Sequence, residues 1–309
     1  MITYITHNQI DKQRWDDCIE QSPNGNVYAL SWYLDIVHPC WEALVEDDYV
    51  SVMPLTGNKK FGVSYLFQPF FVQQLGMFSK ETISSEKIVR FINAIPEKFK
   101  FAEIKLNSGN LFSSGNESID NHRNIELDLS YDYAILSRNY SSNTKRDIAK
   151  ARSAGLTVTD DVKPAEIVEL FRKNKGKNVG HWGDEEYARF LRLVQEATKR
   201  GNCFVKGAKN TDNQLVAGAV FMTSHNRIVF LFSGADELNK KLHALSLLID
   251  ATIKEHSGTS ATFDFEGSDN DGLARFYKGF GGHEVSYPGL RFNKTRGIIK
   301  LALKIFKNK

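Results

Sequence analysis

Apolar positions along the chain repeat one order of elements twice. Residues 10–20, with Trp15 and Ile19, and 31–38, with Ser31 as N-cap, read as two short helices. Apolar runs at 41–45, 49–55 and 61–67 read as strands. A helix is expected over 84–95, where Ile88, Phe91, Ile92 and Ile95 fall at helical spacing, and Pro96 stops it. Strands follow near 100–106 and 122–129, separated by the Gly/Ser/Asn-rich loop 107–116. The order then returns with stronger signals. Helices are expected at 143–154, 164–174 and 184–200, and strands at 202–209, 215–223 and 227–233, the first two joined by the turn-prone Thr211-Asp212-Asn213. Next come a helix over 241–256, with Leu245, Leu248, Ile249 and Ile253 on one face, and a strand at 260–265.

Helices, an antiparallel meander, a helix and a parallel strand make the order of the GNAT acyltransferase fold. Its repetition predicts an α/β chain of mixed sheets in two tandem GNAT-like domains, 1–137 and 138–292, meeting near residues 130–142, although no residue-level repeat accompanies the pattern. Beyond them, residues 293–309 read as an amphipathic helix, with Lys300, Lys304 and Lys307 on one stripe. Docking on the first domain would cover its wide apolar face, and an anionic membrane surface is the other reading.

Composition narrows the class. With 309 residues, 41% hydrophobic and 25% charged, the chain can bury one large core or two ordinary ones. No apolar run approaches the ~20 residues needed to cross a bilayer, and Met1–Ile10 lacks a signal peptide's basic start and apolar core, so a cytoplasmic protein is expected. Cys18, Cys40 and Cys203 are far apart and outside any C-x-x-C spacing, which points to neither disulfides nor zinc. Eight scattered histidines form no metal-ligand spacing, and no metal is expected. The net charge of +3 argues against a dedicated DNA-binding protein. Basic residues do cluster at Arg138, Lys145, Arg146, Lys150 and Arg152, and again at Arg172, Lys173, Lys175 and Lys177. They read either as a phosphate-facing surface or as solvated faces and helix C-termini.

Chemistry concentrates near the C-terminal end. Phe263-Asp264-Phe265-Glu266-Gly267-Ser268, then Arg275-Phe276-Tyr277-Lys278-Gly279-Phe280-Gly281-Gly282, reads as a buried strand, a polar loop, a short helix and a glycine-ended turn. Acyl transfer to an amine needs a group to take a proton, a stabiliser for the oxyanion and a proton donor for the leaving group. Glu266 or Asp264 suits the first task, Lys278 the second and Tyr277 the third. The bland reading makes Asp264 a turn cap, Phe276 and Phe280 core, and the glycines a helix terminus.

That order resembles the Fem family of peptidyltransferases, with its DF-x-G strand end, aromatic-Lys helix and GFGG. Ser142 to Ala151 and Gly155-Leu156-Thr157-Val158 are similar to the family's approach to its second domain, as are Glu169-Leu170-Phe171, Tyr187, Phe190 and Leu191 to its next two helices. The resemblance covers residues 138 to 292. It implies acyl or aminoacyl transfer to an amine on a cell-envelope precursor, peptidoglycan or polysaccharide, with an aminoacyl-tRNA donor and no tightly bound cofactor. Two departures pull apart. Tyr277 stands where the family carries a lysine, and Phe276-Tyr277 with Gly279-Phe280 resembles the tyrosine helix of coenzyme A-dependent GNAT enzymes. Yet Asn239-Lys240-Lys241-Leu242-His243-Ala244 puts Leu242 where those enzymes need a glycine against the pyrophosphate.

Lys240, Lys241 and His243 are the donor-binding candidates, although a neutral, structural imidazole is the other reading for His243 at a helix N-terminus. Lys145, Arg146, Arg172, Trp32, Tyr33, Gln73 and Gln74 are the substrate-binding candidates, with edge-strand solvation the commoner explanation for the two glutamines. His181-Trp182-Gly183 stands where it can border the cleft. A nucleotide- or lipid-linked acceptor, tRNA as donor and peripheral membrane contact are the expected partners. Two rivals stay open: a coenzyme A-dependent N-acyltransferase acting on an amino sugar, and a non-catalytic binding protein that keeps the fold.

Overall fold

In the computed structural model the chain divides into two compact units, Met1–His122 with Ser286–Lys309, and Arg123–Val285. The structure describes residues 1–112, 118–174, 176 and 182–295, without the side chains of 118 and 238–240. Most of the expected C-terminal helix, from residue 296 on, therefore lies outside the described residues.

The first unit starts with β1 (Ile2–Ile5), α1 (Lys12–Gln21) and α2 (Ser31–Val37). Ser31 is not the N-cap of α2 but its first residue; its N–H and hydroxyl donate to Asp16 of α1 at 2.6 and 2.7 Å. β2 (Glu42–Glu46) and β3 (Ser51–Leu55) pair antiparallel. The apolar run 61–67 is not one strand. It is half of a hairpin, β4 (Gly57–Lys60) and β5 (Val63–Phe67), turned by Phe61 and Gly62 at φ 51° and 78°. β6 (Phe78–Ser79), α3 (Ser85–Asn93) and β7 (Phe99–Lys105) follow. α3 is capped by Ser84, whose side chain accepts from the Lys87 N–H at 3.2 Å. Its Ile88, Phe91 and Ile92 pack on Leu44, Met53, Leu66 and Ala102, so α3 forms the crossover between the parallel strands β5 and β7.

β8 (Ser118–Asp128) leads into the second unit at Arg123. There α4 (Tyr133–Arg138), α5 (Ser142–Ser153), β9 (Thr157–Thr159), α6 (Pro164–Lys173) and α7 (Asp184–Lys199) precede the meander β10 (Cys203–Lys209), β11 (Leu215–Ser224) and β12 (Arg227–Ala235). The helix expected over 241–256 is two, α8 (Glu237–Leu242) and α9 (Ala244–His256), broken at His243, whose backbone is left-handed at φ 55°. β13 (Thr262–Asp264) and α10 (Asp271–Lys278) complete the unit, whose strands run β8-β13-β12-β11-β10-β9. β12 and β13 are parallel and α9 is their crossover. The final strand, β14 (His283–Asn293), continues into the first unit, where it pairs antiparallel with β7. Each unit thus holds one parallel pair bridged by a helix within an otherwise antiparallel set of strands.

The far face of the meander packs against α6 at very short range. A Cβ added at Gly234 of β12 would sit 2.1 Å from the Ile167 carbonyl oxygen and 2.8 Å from the Phe171 N. Both neighbours are helix backbone and cannot turn aside, so Gly234→Ala must push α6 off the sheet. Chemical denaturation should show the variant losing about 2–3 kcal/mol of stability.

Candidate active site

The second unit's site begins with a fault in strand pairing. Val220 of β11 faces Phe232 and Phe221 faces Phe230, so Leu231 is one residue too many on β12. This bulge reverses the alternation of side chains. Phe230 belongs to the core that includes α9 and α10. Phe232 turns to the opposite face, with ring centroids 4.7 Å from Phe171, 4.5 Å from Phe190 and 6.1 Å from Trp182. On β12's other edge the parallel pairing covers only Arg227–Val229 against Thr262–Asp264, after which β13 ends. The ring of Tyr277 on α10 stands in the wedge that opens there, stacked on Phe265 at 5.0 Å and edge-on to Phe230 at 6.3 Å.

Tyr277 is 7% exposed, and its hydroxyl has no hydrogen-bond partner among the described residues. Burial, and then the charge of Glu266, push the phenol above its usual range and hold it protonated at neutral pH. Glu266 and Gly267 are both left-handed, at φ 53° and 55°, and turn the chain sharply past β13. Asp264 holds that turn. One of its oxygens accepts the Glu266 N–H at 3.0 Å and the Asn124 amide at 2.7 Å; the other accepts from Arg227 at 3.0 Å. Arg227 also donates to Glu126, and the two carboxylates keep its guanidinium firmly protonated. From the loop's other end, Arg123 donates to the Ser268 carbonyl at 2.8 Å and to Asp271 at 2.7 Å.

Residues 138–278 match the profile of the acetyltransferase (GNAT) domain. Over that stretch the second unit is similar to a GNAT domain. Among solved structures the chain is similar to FemX, with 13% identity over 93% of this chain and 96% of that one and a TM-score of 0.66. It is similar to the C-terminal domain assigned to a lysylphosphatidylglycerol synthetase of Agrobacterium fabrum, with 10% identity over 95% of each chain and a TM-score of 0.56. A tandem GNAT protein from the clavulanic acid biosynthesis pathway matches at 11% identity over 96% of this chain and 100% of that one, with a TM-score of 0.52. No curated protein sequence matches. These likenesses establish a fold of two GNAT-like domains in tandem.

Within the second unit, Tyr277 and Glu266 come together, and Asp264 is spent on the loop that carries Glu266. Lys278 is not turned to the wedge. Its ammonium pairs with Glu284 at 2.6 Å, with each side chain 44% exposed. Around the α8–α9 break, His243 Nδ1 lies 3.4 Å from an Asp147 oxygen, Lys241 is exposed and Leu242 packs on the core. The side chain of Lys240 is outside the described residues. Among the basic candidates, Lys145 donates to the Arg138 carbonyl at 2.7 Å, Arg146 lies 3.7 Å from Asp147, and Arg172 pairs with Asp184 at 2.6 Å while covering the Tyr187 ring at 4.7 Å. Trp182 joins the aromatic cluster on Phe232, and His181 lies outside the described residues.

In the first unit Trp32, Tyr33, Gln73 and Gln74 are all buried. Tyr33 donates to the Phe71 carbonyl, Gln74 donates to Gln73 at 3.0 Å and accepts the Ser108 N–H at 3.0 Å. The two glutamines therefore pin the loop 68–77 from inside and are not solvated on a strand edge. Sequence reasoning missed Phe230, Phe265, Arg227, Asn124 and Glu126. A charge opening the apolar strand 227–233 was the one signal for Arg227. Among the described residues no group of three or more His, Cys, Asp or Glu could hold a metal ion.

Replacing Arg227 by Met leaves Asp264 and Glu126, both nearly buried, facing each other without a cation. Denaturation at neutral pH should show a loss of about 3 kcal/mol. Tyr277 generates a second expectation. Because its folded pKa lies above the usual value of 10.0, its share of stability is whole below pH 10.0 and lost as pH rises beyond it. Tyr277→Phe should therefore lose less stability than the parent between neutral pH and pH above 10, as followed by thermal melts.

Proposed function

We propose that this protein transfers an aminoacyl group from an ester donor to an amine on a cell-envelope precursor, with Tyr277 as proton donor to the leaving group. The observation that carries the reading is the largely buried, protonated phenol of Tyr277, packed between Phe265 and Phe230 where the pairing of β12 with β13 ends. In the reaction the acceptor nitrogen forms a bond to the donor carbonyl carbon. The carbon–oxygen bond to the donor hydroxyl breaks, and the nitrogen sheds a proton to Glu266 or water. Tyr277 gives its proton to the departing oxygen and is reprotonated from solvent. An alkoxide is a far stronger base than a thiolate, so a weakly acidic phenol helps an ester donor more than a thioester donor. The Fem resemblance supports the donor class, aminoacyl-tRNA, and the acceptor class. The likeness to a lysylphosphatidylglycerol synthetase domain, named for an aminoacyl lipid, points the same way. The cytoplasmic side of the membrane, where charged tRNA is available, suits such a reaction.

A coenzyme A donor is the second reading, favoured by the Tyr277 helix. Against it stands α8, which fills the connection from β12 to α9, and His243, which breaks the chain there. The bare helix N-terminus that a pyrophosphate needs is then preceded by a helical turn. Calorimetry separates the readings: acetyl-coenzyme A should bind weakly or not at all, and micromolar binding would promote the thioester.

Turnover tests the role of Tyr277. With aminoacyl-tRNA and nucleotide- or lipid-linked muropeptides as substrates, Tyr277→Phe should lower the rate by roughly 10²-fold, whereas Lys278→Ala should stay within about threefold of the parent, since Lys278 is engaged with Glu284. Full activity in Tyr277→Phe would remove the proposed acid. Tight acceptor binding without turnover on any donor would favour a binding protein.

A further inference from the structure

One end of the first unit's strands β4, β5, β7 and β14 gathers positive charge around an exposed ring. The β4–β5 hairpin turns at Phe61 and Gly62, and Phe61 is 76% exposed, more than any other large apolar side chain among the described residues but Met1. Lys59 and Lys60 are exposed beside it, with the Lys60 ammonium 5.6 Å above the ring. Strand register brings more lysines to the same end. β5 and β7 are parallel with Ser64 opposite Phe99, which places Lys98 and Lys100 beside the hairpin tip. β14 runs the other way with Asn293 opposite Phe101, and the Lys294 N–H donates to the Lys100 carbonyl at 2.7 Å. The exposed Glu97 lies beside them in sequence, and Glu42 holds Lys98 at 2.7 Å. From Thr295 the sequence goes on with Arg296, Lys300, Lys304, Lys307 and Lys309 and no acidic residue.

We propose that this edge docks on an anionic phospholipid surface, with Phe61 entering the boundary between headgroups and acyl chains and the lysines meeting the phosphates. An aromatic ring on a glycine turn, projecting from a convex tip, suits insertion into a fluid interface. It suits base stacking less, because stacking needs a platform and Lys60 already covers one face of the ring. Lysines near an anionic leaflet each strengthen attachment by roughly fivefold. The inference is independent of the acyl-transfer reading, since binding requires no turnover. It would bring the protein to the surface where a lipid-linked acceptor resides.

Sedimentation of the full chain with phosphatidylcholine vesicles, with and without phosphatidylglycerol, tests it. Binding should require phosphatidylglycerol and weaken with salt. Phe61→Ser should reduce partitioning by about tenfold and the Lys59→Gln, Lys60→Gln pair by roughly 25-fold, with the thermal melt unchanged. Phe61→Trp should bind as the parent does, with its tryptophan emission shifted to the blue on phosphatidylglycerol vesicles. The proposal fails if the parent does not bind those vesicles, if it binds phosphatidylcholine equally well, or if the substitutions leave vesicle binding unchanged. It also fails if they abolish tRNA binding while vesicle binding persists.

Discussion

The parallel pairing of β12 with β13 lasts three residues, and the bulge at Leu231 begins where it stops. A strand that twists away from its neighbour leaves a gap which must be filled by side chains or by a ligand. Here Phe230, Phe265 and Tyr277 line it, and because the bulge reverses side-chain alternation, Phe232 is free to anchor a separate aromatic cluster on α6 and α7. One extra residue thus supplies both walls of the second unit. It builds an apolar wedge with a phenol in it on one face and a tightly seated helix on the other.

Buried charge fixes the elements around that wedge. Asp264 gathers Arg227, Asn124 and the backbone of Glu266, so its carboxylate holds the turn by which the chain leaves β13. On the other side of the unit Asp250 of α9, 1% exposed, accepts from Tyr133 at 2.8 Å and Arg152 at 2.7 Å and ties α4 and α5 to the crossover helix. A carboxylate removed from water is tolerated only where such donors replace its hydration. Both therefore act as fasteners, and Glu266, less buried and nearer Tyr277, is the carboxylate placed for chemistry.

Long amphipathic helices and the meander were legible in the sequence to within a residue or two, because their periodicity runs over many positions: α5, α6, α7 and β10–β12 fall almost where the pattern put them. Short elements were not. β1, β6 and β9 are too brief to show a period, and the turn at Phe61 hid inside an apolar run because its first residue is itself aromatic. The break at His243 carries no glycine or proline to announce it. At the site, Tyr277 and Glu266 could be found from local order alone. Their surroundings come from β8, β12 and the end of β13, segments far apart in sequence, and a phase shift of one residue in β12 leaves no mark on composition. Whether Lys278 faces the wedge likewise depended on Glu284, which only the fold brings beside it.

That single surplus residue also says how such a site can be gained or lost. Most changes in a protein core are graded, since one side chain replaces another and its neighbours relax around it. Leu231 is different, because no exchange of side chains at that position changes how many residues β12 sets against β11. Removing its codon would let β12 pair with β11 without a break, with Phe230 still opposite Phe221 and Phe232 still opposite Val220, each on the face it already occupies. The bulge is therefore an all-or-none trait, written in the length of the gene rather than in its spelling.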